Sequence, residues 1–128
     1  MTAIMWLAAI VAGTVHVVIF GMESVWWTTP QVRARFRQSP EQAETTRVLA
    51  FNQGFYNLFL AVGTFAGLGL VLTGHPRVGW TLVYWNCLFM LGAAVVLAGS
   101  ASGMRRGAVI QGAAPLVLLV LAVVRWAS

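Results

Sequence analysis

Four apolar runs of about twenty residues each constrain this chain more than any other feature of its sequence. They cover roughly residues 3–22, 51–73, 78–98 and 108–124. A helix needs about 20 residues to cross the ~30 Å hydrocarbon core of a bilayer, and an open chain in lipid can satisfy its backbone hydrogen bonds only as a helix. The runs also lack the alternation of apolar and polar residues that is typical of β-strands. The sequence therefore predicts an all-α integral membrane protein, with four transmembrane helices in a compact bundle.

Composition and charge support this class of protein and exclude others. Hydrophobic residues make up 59% of the chain and charged residues 9%, whereas soluble domains carry about 25% charged residues. One cysteine cannot form an internal disulfide framework. The net charge of +5 is the difference between eight arginines and three glutamates. The arginines flank the apolar runs, as loop charges of membrane proteins do. We therefore expect membrane lipids as partners and no nucleic acid, and a homo-oligomer stays open.

The spacing of the runs predicts a single transmembrane domain over residues 1–128. Its helices are expected at about 3–23, 40–73, 77–99 and 107–125, and the second of them extends two or three turns into the cytoplasm. The first run is long enough to span and lacks the basic start and the cleavage site of a signal peptide, so we expect it to stay as a helix.

Two hydroxyl–proline steps mark helix starts between the first and second runs. Thr29 and Ser39 each precede a proline, which is the usual order of an N-cap residue and the first helical residue. We expect a short amphipathic cytoplasmic helix over about 30–37, which buries Val32 and Phe36.

The arginines are distributed unevenly between the two sides of the predicted bundle. Two of them, Arg77 and Arg125, lie on one side. The loops on the opposite side hold six: Arg33, Arg35, Arg37, Arg47, Arg105 and Arg106. The positive-inside rule then predicts that both termini are outside and that the loop over residues 24–48 is cytoplasmic.

Polar side chains in or near the spans are the best candidates for a functional site. His16, Glu23 and Trp27 share one face of the first helix if that helix is regular. The second run opens with four polar side chains within residues 52–57, and the last two runs contribute one amide each. We predict a polar, cytoplasm-facing intramembrane pocket with these ligand-binding residues: His16, Glu23, Trp27, Asn52, Gln53, Tyr56, Asn57, Asn86 and Gln111. Catalytic residues are unknown, and His16 and Glu23 are the candidates.

A pair of glycines suggests where the bundle is tightest. Gly63 and Gly67 form a GxxxG motif, which lets helices approach closely, and both lie on the helical face of Tyr56. We therefore expect close packing toward the outer side and a wider, polar-lined space toward the cytoplasm.

Several of these residues resemble the signature of a family of small membrane proteins. The string Asn52-Gln53-Gly54-x-Tyr56-Asn57-x-Phe59-Leu60-Ala61 is the most specific part of the resemblance. The other matching residues are His16, Glu23, Trp26, Trp27, Pro30, Phe36 and the pair Gln111-Gly112. The family is bacterial and is known as domain of unknown function thirteen-hundred-and-four. The resemblance implies a four-helix fold in the bacterial inner membrane and a shared polar motif, and it implies no biochemical activity.

Each polar candidate also has a purely structural interpretation. His16 can pin two helices together, Glu23 can pair with a loop arginine, and the amides near residue 52 can be polar contacts between helices. We expect no metal site, since His16 and Glu23 would need further ligands and His75 lies on the opposite side. Haem ligation lacks a second axial ligand, and no cofactor is expected.

Four functions fit these observations. The first is binding of a small amphipathic or lipid-like molecule in the predicted pocket. The second is an isomerase that acts on an isoprenoid or sterol-like lipid with His16 and Glu23 as its acid–base pair. A proton-coupled small exporter is the third, although Glu23 lies at a helix end and the arginine bias is strong. The fourth is a structural subunit of a larger membrane complex.

Overall fold

The structure, a computed structural model, describes residues 2–127, and this part of the chain is all-helical. Met1 and Ser128, the two ends of the predicted domain, lie outside the described residues. The α-helices are α1 (Thr2–Phe20), α2 (Pro30–Phe36), α3 (Pro40–Leu72), α4 (Pro76–Ser100) and α5 (Arg105–Ala127). A π-helical turn (Gly21–Val25, the π turn) follows α1, and a 3₁₀ turn (Ser102–Met104) precedes α5.

Four of these helical segments are long and apolar enough to cross a membrane. They are α1 with its π turn, α3, α4, and α5 with its 3₁₀ turn. The prediction of an all-α chain with four such segments is confirmed. At ~1.5 Å per residue, the 33 residues of α3 extend over about 50 Å, which exceeds the ~30 Å of a hydrocarbon core.

The four long helices surround one core, and each packs chiefly against two neighbours. α1 and α4 both contact α3 and α5, whereas α1 and α4 scarcely touch each other. Trp6 near the start of α1 and Trp80 near the start of α4 meet edge to face, with their ring centroids 5.9 Å apart. The starts of α1 and α4 therefore lie at one end of the molecule, and the ends of both helices lie at the other.

The core between these helices is built mainly from small side chains. Alanines of α1 pack against larger side chains of α4 and α5, among them Val83, Met90 and Leu118. α3 and α4 approach closely at Gly67 and Gly79, where a Cβ atom on Gly67 would lie 2.8 Å from the Gly79 carbonyl oxygen. The close packing predicted for the GxxxG motif is therefore present, and it joins α3 to α4.

A second apolar cluster holds α2 against the extension of α3. Trp27, Val32, Ala43 and Ala50 are its buried members, and Phe36 packs against them as a partly buried residue. The expectation for α2 thus holds for Val32, while Phe36 is less deeply buried than we expected. This cluster fixes α2 and the turn before it onto the first turns of α3.

The two expected N-caps differ in outcome. Ser39 caps α3 in a capping box, because its hydroxyl accepts from the Gln42 backbone N–H at 3.1 Å and the Gln42 side chain accepts from the Ser39 N–H at 2.9 Å. The prediction that the Thr29 hydroxyl caps α2 is wrong. That hydroxyl donates to the Trp26 carbonyl oxygen at 2.7 Å, because a tight turn from Trp26 to Thr29 brings the carbonyl within reach.

Candidate functional site

The π turn determines where the carboxylate of Glu23 lies. It is closed by a hydrogen bond from the Trp26 N–H to the Gly21 carbonyl at 2.9 Å, which spans five residues instead of four. A Cβ at position 21 would lie 2.6 Å from the indole ring of Trp26, so a larger residue there would displace that ring. The wider turn changes the register after Phe20, so the shared face that regular spacing predicts for His16 and Glu23 does not extend through this turn.

Two hydrogen bonds attach the π turn to α3, at or next to the segment over residues 52–57, which we call the polar string. The Asn57 side-chain amide donates to Glu23 Oε2 at 2.9 Å, and the Ser24 hydroxyl donates to the Phe51 carbonyl oxygen at 2.8 Å. Gly54 lies directly against Ser24, and a Cβ on Gly54 would overlap the Ser24 hydroxyl oxygen. The glycine in the middle of the polar string therefore lets α1 and α3 come close enough for the Glu23–Asn57 contact to form.

Glu23 lines two neighbouring spaces. The first, which we call the apolar cavity, has a volume of about 290 Å³ and lies between α1, α2 and the start of α5. Four of its lining residues are polar: Thr14, Glu23, Arg35 and Gln111. The remaining lining residues are apolar or small: Val15, Val18, Ile19, Met22, Phe36, Leu97, Met104, Gly107 and Ile110. Its size and its few convergent polar groups are typical of small-molecule sites.

The second space, which we call the polar groove, lies on the α3 side of Glu23. It is open and has a volume of about 510 Å³. It is lined by Glu23, Trp27, Gln38, Thr46, Leu49, Ala50, Asn52, Gln53 and Tyr56. The only ionisable side chains in this lining are the carboxyl of Glu23 and the phenol of Tyr56.

Trp27 fixes the wall of the polar groove. Its indole N–H donates to the Ala43 carbonyl oxygen at 3.0 Å and to the Thr46 hydroxyl at 3.2 Å, and its ring lies 4.8 Å from that of Phe36. A buried indole needs such a partner for its N–H. The ring is therefore held in one position between α2 and α3.

Most of the predicted site residues collect around Glu23. Five of them line the polar groove: Glu23, Trp27, Asn52, Gln53 and Tyr56. Asn57 joins them through its bond to Glu23, and Gln111 lines the apolar cavity together with Glu23.

His16 and Asn86 lie elsewhere. The His16 ring is buried, and its Nδ1–H donates to the Ala12 carbonyl oxygen at 2.9 Å, one turn back in α1. Asn86 is buried and donates to the Leu82 carbonyl oxygen at 2.8 Å, beside Gly63. Neither side chain lines the apolar cavity or the polar groove.

Four polar lining residues were missed by the reasoning from sequence, among them Thr14 in the apolar cavity. Arg35 lines the apolar cavity, and Gln38 and Thr46 line the polar groove. Arg37 ends α2 in the left-handed conformation, with φ 55°, and the chain then turns so that the Gln38 N–H donates to the Arg33 carbonyl oxygen at 2.9 Å. The Gln38 Oε1 atom is buried without a hydrogen-bond partner among the described residues. No local sequence pattern signals this burial, because it depends on the left-handed residue Arg37 and on the packing of α2.

The part of the chain that the structure describes contains no group of three or more His, Cys, Asp or Glu side chains that could hold a metal ion.

Four long apolar helices, with polar groups collected at one end, indicate a helical membrane protein. The chain matches a family described as "Protein of unknown function (DUF1304)" over residues 10–123, and it belongs to that family. No curated protein and no solved structure matches the chain.

Proposed function

We propose that this chain is an integral membrane protein that binds a small amphipathic molecule at Glu23. The apolar part of the ligand occupies the apolar cavity, and its polar head contacts Glu23 and the neighbouring amides. The observation that carries the proposal is that one carboxylate, oriented by Asn57, lines both an apolar cavity and a polar groove. Ionisable residues within membrane-spanning segments are rare and by default indicate functional sites.

The depth of Glu23 supports an amphipathic ligand. About 20 residues of α1 precede it, which corresponds to the ~30 Å of a hydrocarbon core. Asn52 and Gln53 lie about 20 residues before the end of α3 and reach the same depth. The carboxylate is thus expected at the boundary between acyl chains and headgroups, where an amphipathic molecule has its own polar–apolar junction.

An opening toward the lipid gives such a molecule a path. Val18 of α1 and Ile110 of α5 line the apolar cavity and are both exposed, and we propose that the cavity opens to the lipid between them. A ligand that is dissolved in the membrane can therefore enter between α1 and α5 without crossing water.

We test this proposal with a variant that fills the apolar cavity. Gly107 lines the cavity, and the nearest atom to a Cβ there is the Met104 Cε at 3.6 Å, so Gly107→Leu is accommodated at the cost of cavity volume. Gly92→Leu is the matched control, because a Cβ at Gly92 has nothing within 4 Å and lines neither space. Native mass spectrometry of gently extracted protein is expected to detect a retained small molecule in wild type and in the control, and little in Gly107→Leu. Equal retention in all three proteins would contradict the proposal.

The orientation is part of the proposal and is tested separately. Six of the eight arginines belong to the segments at the Glu23 end, so we propose that this end is cytoplasmic. Single cysteines replace the exposed residues Gln31 and His75, while the native Cys87 is buried. A membrane-impermeant maleimide applied to intact cells is expected to label His75→Cys and to label Gln31→Cys only after permeabilisation. The opposite pattern would reverse the orientation.

No observation favours the isomerase over ligand binding. That mechanism requires His16 and Glu23 to face one substrate, and His16 lines neither space that Glu23 lines.

A further inference from the structure

We propose that the head of the ligand is a primary ammonium group, held in the polar groove by Glu23 and Gln38. This inference rests on the proposed function and names the chemical class of the ligand. It depends on three features of the groove: its charge, an unpaired acceptor, and its continuity with the apolar cavity.

The charge of the polar groove is opposite to that of its surroundings. Six arginines lie in the segments at this end of the molecule, yet none of them lines the groove, and Glu23 is its only acidic residue. Within the described residues the carboxylate makes no ion pair, and its hydrogen-bond donor is the neutral amide of Asn57. A partly buried carboxylate of this kind is best satisfied by a cation that the ligand brings.

The unpaired acceptor distinguishes between kinds of cation. Gln38 Oε1 is buried and lacks a donor within the described part of the chain, and Gln38 lines the same groove as Glu23. An unpaired buried acceptor costs free energy, and a turn of the Gln38 amide that brings Oε1 from its buried position into the groove would let a ligand N–H remove that cost. A primary ammonium carries three N–H donors, so it can satisfy Glu23 and Gln38 together, whereas a trimethylammonium carries none. The aromatic ring of Tyr56, in the same lining, suits either cation.

The position of Glu23 joins this head site to a tail site. The same side chain lines the apolar cavity, so an ammonium bound to it lies where an attached alkyl chain can enter that cavity. The ligand class that fits is therefore a single-chain or lipid-like amine, with its nitrogen in the groove and its chain between α1 and α5.

Three probes with one chain length test this inference. Dodecylammonium, dodecyltrimethylammonium and dodecanol share their chain and differ in the head. The purified protein in a nonionic detergent is offered equimolar pairs of them, and native mass spectrometry counts the complexes. Hydrogen bonds to a charged group are strong enough for about a tenfold preference. We expect wild type to retain dodecylammonium at least about tenfold better than either other probe.

Two variants assign that preference to the groove. Glu23→Gln is expected to bring dodecylammonium down to the level of dodecanol. Gln38→Leu is expected to reduce the preference for dodecylammonium over dodecyltrimethylammonium and to leave dodecanol unaffected. Gln31→Leu, at an exposed position of α2 that lines neither space, is the control and should behave as wild type.

The outcomes separate the head site from the proposed function. If wild type retains all three probes equally and Gly107→Leu retains none, the apolar cavity binds amphiphiles and the ammonium inference is overturned. If no probe is retained better by wild type than by Gly107→Leu, ligand binding itself fails. A preference for dodecylammonium that survives in Glu23→Gln would also overturn the inference, because the carboxylate would then have no part in it.

Discussion

Gly54→Ala is expected to weaken the contact between α1 and α3 and to disturb the candidate site. A Cβ at position 54 would overlap the Ser24 hydroxyl oxygen and would lie 3.1 Å from both the Ser24 Cβ and its backbone nitrogen. The hydroxyl cannot simply rotate away without losing its bond to the Phe51 carbonyl oxygen. The π turn must therefore move away from α3 as a unit.

The expected loss of unfolding free energy in Gly54→Ala has two contributions. Overpacking of a close contact costs about 1–3 kcal/mol, and an interhelical hydrogen bond in a membrane protein contributes about 0.6 kcal/mol. We expect Gly54→Ala to lower the free energy of unfolding by about 2 kcal/mol, which is roughly a thirtyfold change in the unfolding equilibrium. Because Glu23 precedes Ser24, its bond to Asn57 should weaken as well, and ligand retention should fall.

The assay is reversible unfolding in mixed micelles of increasing dodecyl sulfate fraction, followed by circular dichroism. Gly92→Ala is the control, since that position has open space around it and the gain in helix propensity is the same. The double variant Ser24→Gly with Gly54→Ala should recover much of the loss, because the overlapping atoms are gone. If Gly54→Ala is as stable as Gly92→Ala, the close contact between Gly54 and Ser24 is not what holds the π turn in place. The same conclusion follows if the double variant is no more stable than Gly54→Ala.

Three further substitutions test other contacts. Gly79→Ala places a Cβ against backbone atoms of α3 and should lower the free energy of unfolding by about 2 kcal/mol in the same assay. Gly69→Ala is the control, because a Cβ there has nothing nearby, and it should not lower the free energy of unfolding. Equal effects of the two substitutions would contradict the close approach of α3 and α4. Trp27→Phe removes an indole N–H with two acceptors and should cost about 1 kcal/mol, while Trp126→Phe, whose side chain is 93% exposed, should cost almost nothing. Ser39→Ala removes the capping box and should speed amide hydrogen exchange in the first turns of α3, with no change in α4; unchanged exchange would mean that packing alone holds this end.

The long helices were predictable because the physics behind them depends on composition and length alone. Each apolar run is as long as a bilayer requires, and no residue outside the run enters that argument. Ser39 was predictable for a similar reason, since its cap involves only the next few residues. Thr29 has the same local pattern, but a tight turn before it supplies the Trp26 carbonyl as a competing acceptor.

The candidate site was predictable in its residue types and not in its geometry. Interfacial depth alone suggested that Glu23 and the polar string of α3 lie together. The separation of His16 from Glu23 depends on the π turn, which regular helical spacing cannot reveal. Gln38 was missed because its burial depends on the left-handed residue Arg37 and on the packing of α2, neither of which leaves a periodic pattern.

The π turn inserts one residue more than a regular helix would use over the same rise. Deleting Met22 would allow ordinary winding from α1 to Trp26, so residues beyond the turn would keep their direction while Glu23, inside the turn, would take a different position around the helix axis. The shortened chain would keep all four apolar spans and every acidic, amide and aromatic group named above. Its carboxylate would nevertheless point in another direction. One extra residue in the turn therefore decides whether a four-helix membrane protein carries the Glu23 site.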